Sequence, residues 1–380
     1  MKTLILCLLC LCLALGGGRA EEALNDPEAA EGELSTESTM RISGSFHYQD
    51  YIDDTVKIIA LSAQAGTEPL VIPETIDGRY VAALGENLST LAIESVSIPK
   101  SVVVIEGNPF PAALKITVEE SSPHYMVEDG ILYNRAKTRL FHYPRHREDL
   151  EFAVPEGVEM IAAGAISGNP YLQEILLPQS LTVLERRALA DDPSLRSVQF
   201  SEGLVQIRAF ALTGTSIVEL NLPHSLRRIG AGAFWKTPLA QVSLPEGLTG
   251  IGDQAFSGTQ LRSLSLPKSL QSLGKGAFQY CAALESVSLQ EGLQSIDDAA
   301  FASTALHMVT LPASLDHIGE NPFSGCTSLE HIYVYPDSLA QEFCRDLGLA
   351  YELLPNRPTE EIPQEPTEEP AEQPLEGGVM

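Results

Sequence analysis

The sequence predicts a strand-rich solenoid with little helix. Three observations carry that prediction: a repeat of 22 or 23 residues, aliphatic columns at fixed offsets within it, and a proline closing an alternating segment in most copies. A unit this short cannot bury its own apolar face and must stack on its neighbours. Aligned on the residue after that segment, the anchors are Pro155, Pro178, Ser201, Pro223, Pro245, Pro267, Gln290 and Pro312, with spacings of 23, 23, 22, 22, 22, 23 and 22.

Three residues past the anchors stand Val158, Leu181, Leu204, Leu226, Leu248, Leu270, Leu293 and Leu315, and six past them a second column runs from Ile161 to Ile318. Both are wholly aliphatic. Eleven past the anchors come Ile166, Leu189, Leu212, Phe234, Phe256, Phe278, Phe301 and Phe323, a column of large side chains that can span the interior of a coil. The segment before each anchor, as in Gln241-Val242-Ser243-Leu244, alternates polar with apolar residues, the period of a strand with one buried face. A proline there ends the ladder without stranding a donor. These pre-anchor strands are expected to form one continuous parallel sheet over roughly ten turns at ~4.8 Å spacing. The glycines that recur before the spine column are read as turn formers.

Gly230-Ala-Gly-Ala-Phe234, Gly252-Asp-Gln-Ala-Phe256 and Gly274-Lys-Gly-Ala-Phe278, each following an L-P-x-x-L-x-x-[IL] run, resemble the bacterial surface, BspA-like, type of leucine-rich repeat. The resemblance covers residues 41–353. It implies an α/β-type leucine-rich repeat solenoid, a right-handed coil with an opening hairpin over residues 42–84, an inserted β-hairpin at about 120–150 and a C-terminal strand-helix cap over residues 332–344. Ile166, Leu189 and Leu212 depart from the family's phenylalanine. It further implies binding in place of catalysis, with extracellular or host-surface proteins, matrix glycoproteins among them, as partners. Such a scaffold serves many ligands, so the implication is associational.

The ends of the chain set the expected compartment. Lys2, an apolar run from Leu4 to Leu15, and Gly18-Arg19-Ala20 have the order of a secretory signal peptide over residues 1–20, which predicts a secreted or cell-surface protein. Without Lys2 and Arg19 the formal charge passes from -27 to -29. Residues 21–40 hold seven acidic and no basic side chains, and residues 354–380 hold seven acidic residues against one arginine. Both flanks are expected to be disordered, the second as a Pro/Glu-rich spacer. A chain this acidic is repelled by nucleic acid and anionic lipid, and no later run is long enough for a membrane span.

Nothing in the composition implies a metal, a cofactor or a catalytic centre. No H-E-x-x-H, G-x-S-x-G or phosphate-cradling loop occurs, and no paired-cysteine spacing of a zinc site. Cys281 and Cys326 occupy one repeat position two coils apart, too far to bridge, which leaves Cys326 with Cys344 as the one disulfide open.

Two candidate binding surfaces remain. The outward positions of the pre-anchor strands include Glu219, Asn221, Gln241, Met308, Thr310, His331 and Tyr333; they are small and polar from Gln241 to Ser288 and bulkier at the end. His307 and His331, with Glu330, are expected to neighbour one another there. The second is a basic island, Arg135, Lys137, Arg139, His142, Arg145, His146 and Arg147, with no acidic residue between them, on a hairpin expected to project and suited to an acidic glycan. The competing reading of the island is a solvated hairpin whose cations keep its edge from pairing.

Overall fold

The computed structural model describes residues 40–62 and 66–355; the expected signal peptide, nearly all of segment 21–40 and the tail beyond Pro355 lie outside the described residues. Each coil contributes two short strands. One precedes the anchor, such as Glu174–Leu176, and is termed the A strand; the other follows it, such as Val183–Leu184, and is termed the B strand. The predicted columns point inward. Those at three and six residues past the anchor are buried from Val158 and Ile161 to Leu293 and Ile296, and those at eleven from Ile166 to Phe301.

The continuous parallel sheet exists, but it is made of B strands. Eight of them, Met160–Ile161 through His317–Ile318, pair in parallel register, as in Ile161↔Leu184 and Ile229↔Ile251. The A strands number thirteen among the described residues, more than the ten turns expected, because coils before residue 119 and the final cap also supply them. They are divided into five separate sheets.

Coil length coincides with three of the four divisions. Fourteen residues past the anchors, the 22-residue coils carry Thr215, Thr237, Thr259 and Thr304, whereas the 23-residue coils carry Asn169, Asp192 and Cys281. Thr215, Thr237 and Thr304 each donate to the carbonyl three residues back at 2.9 Å, closing the turn on itself. The 23-residue coils of Asp192 and Cys281 insert one more turn residue and close it by Leu195 N–H to Asp192 O and Leu284 N–H to Cys281 O. Every 23-residue coil keeps its A strands paired, and three of the four 22-residue coils coincide with a break. The fourth division is the inserted hairpin.

Two packing devices hold the coils together. Phe234, Phe256, Phe278, Phe301 and Phe323 stack ring on ring with centroids 5.0 to 5.8 Å apart and planes within 18°. Gly230, Gly252 and Gly274, expected as turn formers, serve close approach instead. At Gly252 a Cβ would stand 2.7 Å from the Ala231 amide nitrogen of the preceding coil, so only glycine lets the backbones meet.

The ends are capped differently. At the N-terminus Arg41–Ser43, Phe46–Asp50 and Val56–Leu61 form an antiparallel meander whose last strand runs parallel to Arg79–Leu84. At the C-terminus strand His331–Val334 leads to helix α1, Leu339–Asp346, which Ser338 caps by accepting from the Gln341 amide at 3.2 Å. Beyond the expected strand-helix cap, Glu352–Leu353 adds one further parallel strand. Cys281, Cys326 and Cys344 are all free. Cys281 and Cys326 sit in the threonine column, each donating to a carbonyl 25 residues back at 3.1 and 3.0 Å.

Replacing Gly252 with alanine is expected to destabilise the protein by about 1–3 kcal/mol through backbone overpacking, measured by urea denaturation.

Candidate interaction surfaces

The A-strand face places the expected residues outward. Glu219, Asn221 and Gln241 are exposed and lie on paired strands, with Glu219 opposite Gln241 and Asn221 opposite Ser243. Met308 and Thr310 stand opposite His331 and Tyr333 on the terminal three-stranded sheet. The structure thus separates the expected residues into two groups on different sheets and brings the last four into one patch. There Met308 and His331 are exposed, and the His331 and Tyr333 rings are nearly parallel at 6.1 Å.

The carboxylate partner of His331 is Glu352 and not Glu330: His331 Nδ1 lies 2.7 Å from Glu352 Oε1. His307 meets this group through its carbonyl, which accepts the Glu330 amide at 3.0 Å. Glu352 escaped the sequence reading because its strand follows the helix and has no repeat signature to align it.

The basic hairpin does not project. Its strands Tyr125–Glu128, Ile131–Asn134 and Arg139–His142 continue the B sheet, and Arg139 and Leu140 pair in parallel with Met160 and Ile161. The reason is its continuous apolar runs: Ile131, Leu132, Tyr133, Leu140, Phe141 and Tyr143 are buried, so the hairpin is a core element. Its cations are largely consumed. Arg139 is half-buried with its guanidinium 5.0 Å from the Phe141 ring centroid, and burial lowers its pKa. Lys137 is ion-paired with Glu128, and Arg145 donates to the Ser167 carbonyl at 2.9 Å. Arg147 pairs with Asp149, and His142 is fully buried with its pKa lowered to about 3 by desolvation. Of the proposed anion-binding residues Arg135 and His146 are exposed.

Beneath this segment lies a buried polar knot that sequence reading missed. Asn169 donates through Nδ2 to the Arg147 carbonyl at 3.0 Å and accepts through Oδ1 from the Tyr171 and Leu172 amides. Its own amide donates to Asp192 Oδ1 at 2.6 Å, while Asp192 Oδ2 is buried without a hydrogen-bond partner. Desolvation holds the Asp192 pKa well above the usual carboxylate value, against the opposing pull of two backbone amides and Arg145. Asp192 occupies the column that holds threonine in four of the eight coils, a substitution visible in the alignment.

The pattern of the BspA type leucine rich repeat region matches in six copies over residues 140–261 and 249–341, more than half of the chain. The chain belongs to this family. Among solved structures it is similar to a leucine rich cell surface protein from Faecalibacterium prausnitzii, at 18% identity over 84% of this chain and 95% of that one, TM-score 0.40. It is also similar to a leucine-rich repeat protein from Eubacterium ventriosum, at 19% identity over 77% and 95%, TM-score 0.44. A third is the pneumococcal vaccine antigen PcpA, at 13% identity over 84% and 99%, TM-score 0.39. No curated protein matches the chain. None of the described helices is long and apolar enough to cross a membrane.

The raised pKa of Asp192 fixes the sign of a pH effect. A carboxyl whose folded pKa exceeds its unfolded value stabilises the fold below the unfolded pKa and loses that contribution as pH rises through the folded one. Asp192→Asn is therefore expected to stabilise the protein at pH 7 by about 1–3 kcal/mol, with the gain over wild type shrinking towards pH 4, measured by denaturation at both pH values.

Proposed function

We propose that this protein is a secreted or cell-surface repeat protein that binds a partner protein through the A-strand face and catalyses no reaction. The observation that carries the reading is the terminal patch, where exposed Met308 and His331 adjoin Thr310, Tyr333 and Glu352 on one short sheet. Thioether and aromatic side chains on a rigid sheet anchor interfaces, because the aromatic rings bury much apolar area with few rotatable bonds and the thioether adapts to the surface it meets. The small polar positions from Gln241 to Ser288 leave the face next to the patch low, so a partner can lie flat along it. Membership of the BspA type supports a role in interaction or adhesion at a surface, and the signal-peptide pattern supports export. The internal pairing of the hairpin cations argues against that hairpin as the principal binding element.

The test is binding of the full chain to immobilised matrix glycoproteins and acidic polysaccharides at low and high salt. Saturable binding to a glycoprotein that persists at high salt, and falls at least tenfold in Met308→Ala and Tyr333→Ala, is the expected result. Binding to polysaccharide that salt abolishes, and that Arg135→Ala weakens while Met308→Ala does not, would overturn it.

A further inference from the structure

One corner of the coil carries a cost that the fold does not require. Thirteen residues past the anchor the backbone is left-handed in all eight coils, at Gly168, Asp191, Gly214, Lys236, Gly258, Tyr280, Ser303 and Gly325, with φ between +57° and +80°. Glycine meets this requirement without strain and fills four of the positions; any other residue there is disfavoured by its Cβ. Asp191 is repaid by its ion pair with Arg187. Lys236 lies over the ring of Trp235, with Nζ 4.2 Å from the centroid. Tyr280 has no such return: its side chain is 60% exposed and makes no hydrogen bond or ring contact among the described residues.

Lys236, Gly258 and Tyr280 belong to three consecutive coils locked together at this corner. Lys236 N–H donates to Ser257 O, Gly258 N–H to Gln279 O and Tyr280 N–H to Ala302 O, at 2.8 to 2.9 Å. By the strand spacing, Lys236 and Tyr280 stand about 10 Å apart, and the residue between them has no side chain. Half-buried Trp235 and exposed Lys236 thus stand on one side of a position without a side chain, and exposed Tyr280 on the other. Lys236 has no carboxylate partner among the described residues, in a chain with 51 acidic side chains against 24 lysines and arginines.

We propose that this corner is a glycan-binding site for chains bearing carboxylate sugars. A pyranose ring presents an apolar C–H face that stacks on an aromatic ring and hydroxyls that bond to amides and ammonium groups. Two sugar units span about 10 Å, the two-coil separation of Lys236 and Tyr280, and a carboxylate at the near end meets the Lys236 ammonium. Exposed Gln254 and half-buried Gln279 supply neutral donors and acceptors on adjoining coils. A protein partner would instead require contiguous apolar area, which a corner of Gly214, Gly258 and Ser303 does not offer. The site is separate from the A-strand patch and independent of it.

Trp235 is the single tryptophan of the chain, so its emission reports on the site directly. The full chain is titrated with oligogalacturonate tetramer and with neutral cello- and chito-tetraose, alongside Tyr280→Gly and Lys236→Gly. The expected result is a saturable emission change with oligogalacturonate, at least tenfold weaker binding in Tyr280→Gly, and a loss of preference for the acidic tetramer in Lys236→Gly. Tyr280→Gly should have a Tm equal to or above wild type, because glycine suits the left-handed position, which separates lost binding from lost folding. An absence of saturable change with all three tetramers, or undiminished binding in Tyr280→Gly, would overturn the proposal.

Discussion

Everything in this structure follows from the distance at which one coil must lie on the next. A coil of 22 or 23 residues encloses only a handful of apolar side chains, so its interior is completed by the coils on either side. The phenylalanine ladder at 5.0 to 5.8 Å repeats that distance in the core, and the paired B strands repeat it in the backbone. Glycine at 230, 252 and 274 is the local consequence, since a side chain there would meet the backbone of the preceding coil. Ring, strand and glycine therefore enforce one spacing from three directions.

The same constraint sorts the surface. Positions that touch the adjoining coil are fixed, and outward ones are free, which is why the A-strand face varies from glutamate to serine to methionine without disturbing the core. The hairpin shows the reverse case. By joining the B sheet it places Arg139 and Arg145 against buried surface and carbonyl groups, so cations that read as a binding site become part of the packing. At the left-handed corner the scaffold asks for glycine, and Tyr280 declines it with no internal recompense. A residue that is costly to the fold and unused by it is where function independent of the fold is to be sought.

Most of the architecture was legible in the sequence because buried columns tolerate few residue types. The aliphatic and phenylalanine columns and the outward placement of Met308, Thr310, His331 and Tyr333 stand where the repeat puts them, and the terminal helix stands where the family resemblance implies it. Which strand forms the continuous sheet was not legible, since hydrophobic period reports burial and not hydrogen-bond partners. The B strands are only two residues long and have no period to read. Burial of the hairpin cations was hidden for a different reason: Arg139 and Arg145 are polar by letter, and only the pairing of Arg139 with Met160 and the approach of Arg145 to Ser167 reveal their roles. The Asp192 knot, the tie from His331 to Glu352 and the left-handed corner depend on contacts or dihedral angles that a linear pattern does not encode. Coil length is the exception. The exchange of threonine for asparagine, aspartate or cysteine marks each 22- or 23-residue coil in plain letters, and its meaning needed the turn hydrogen bonds.

The central claim is that stability resides in the stacking of coils and not in any coil alone. Hydrogen exchange of Phe278→Ala resolved by coil tests it most directly, because Phe278 stacks on both Phe256 and Phe301. The account predicts that amides of the coils containing Phe256 and Phe301 lose protection together with those of the substituted coil. Loss confined to the coil of Phe278, with full protection on both sides, would contradict it.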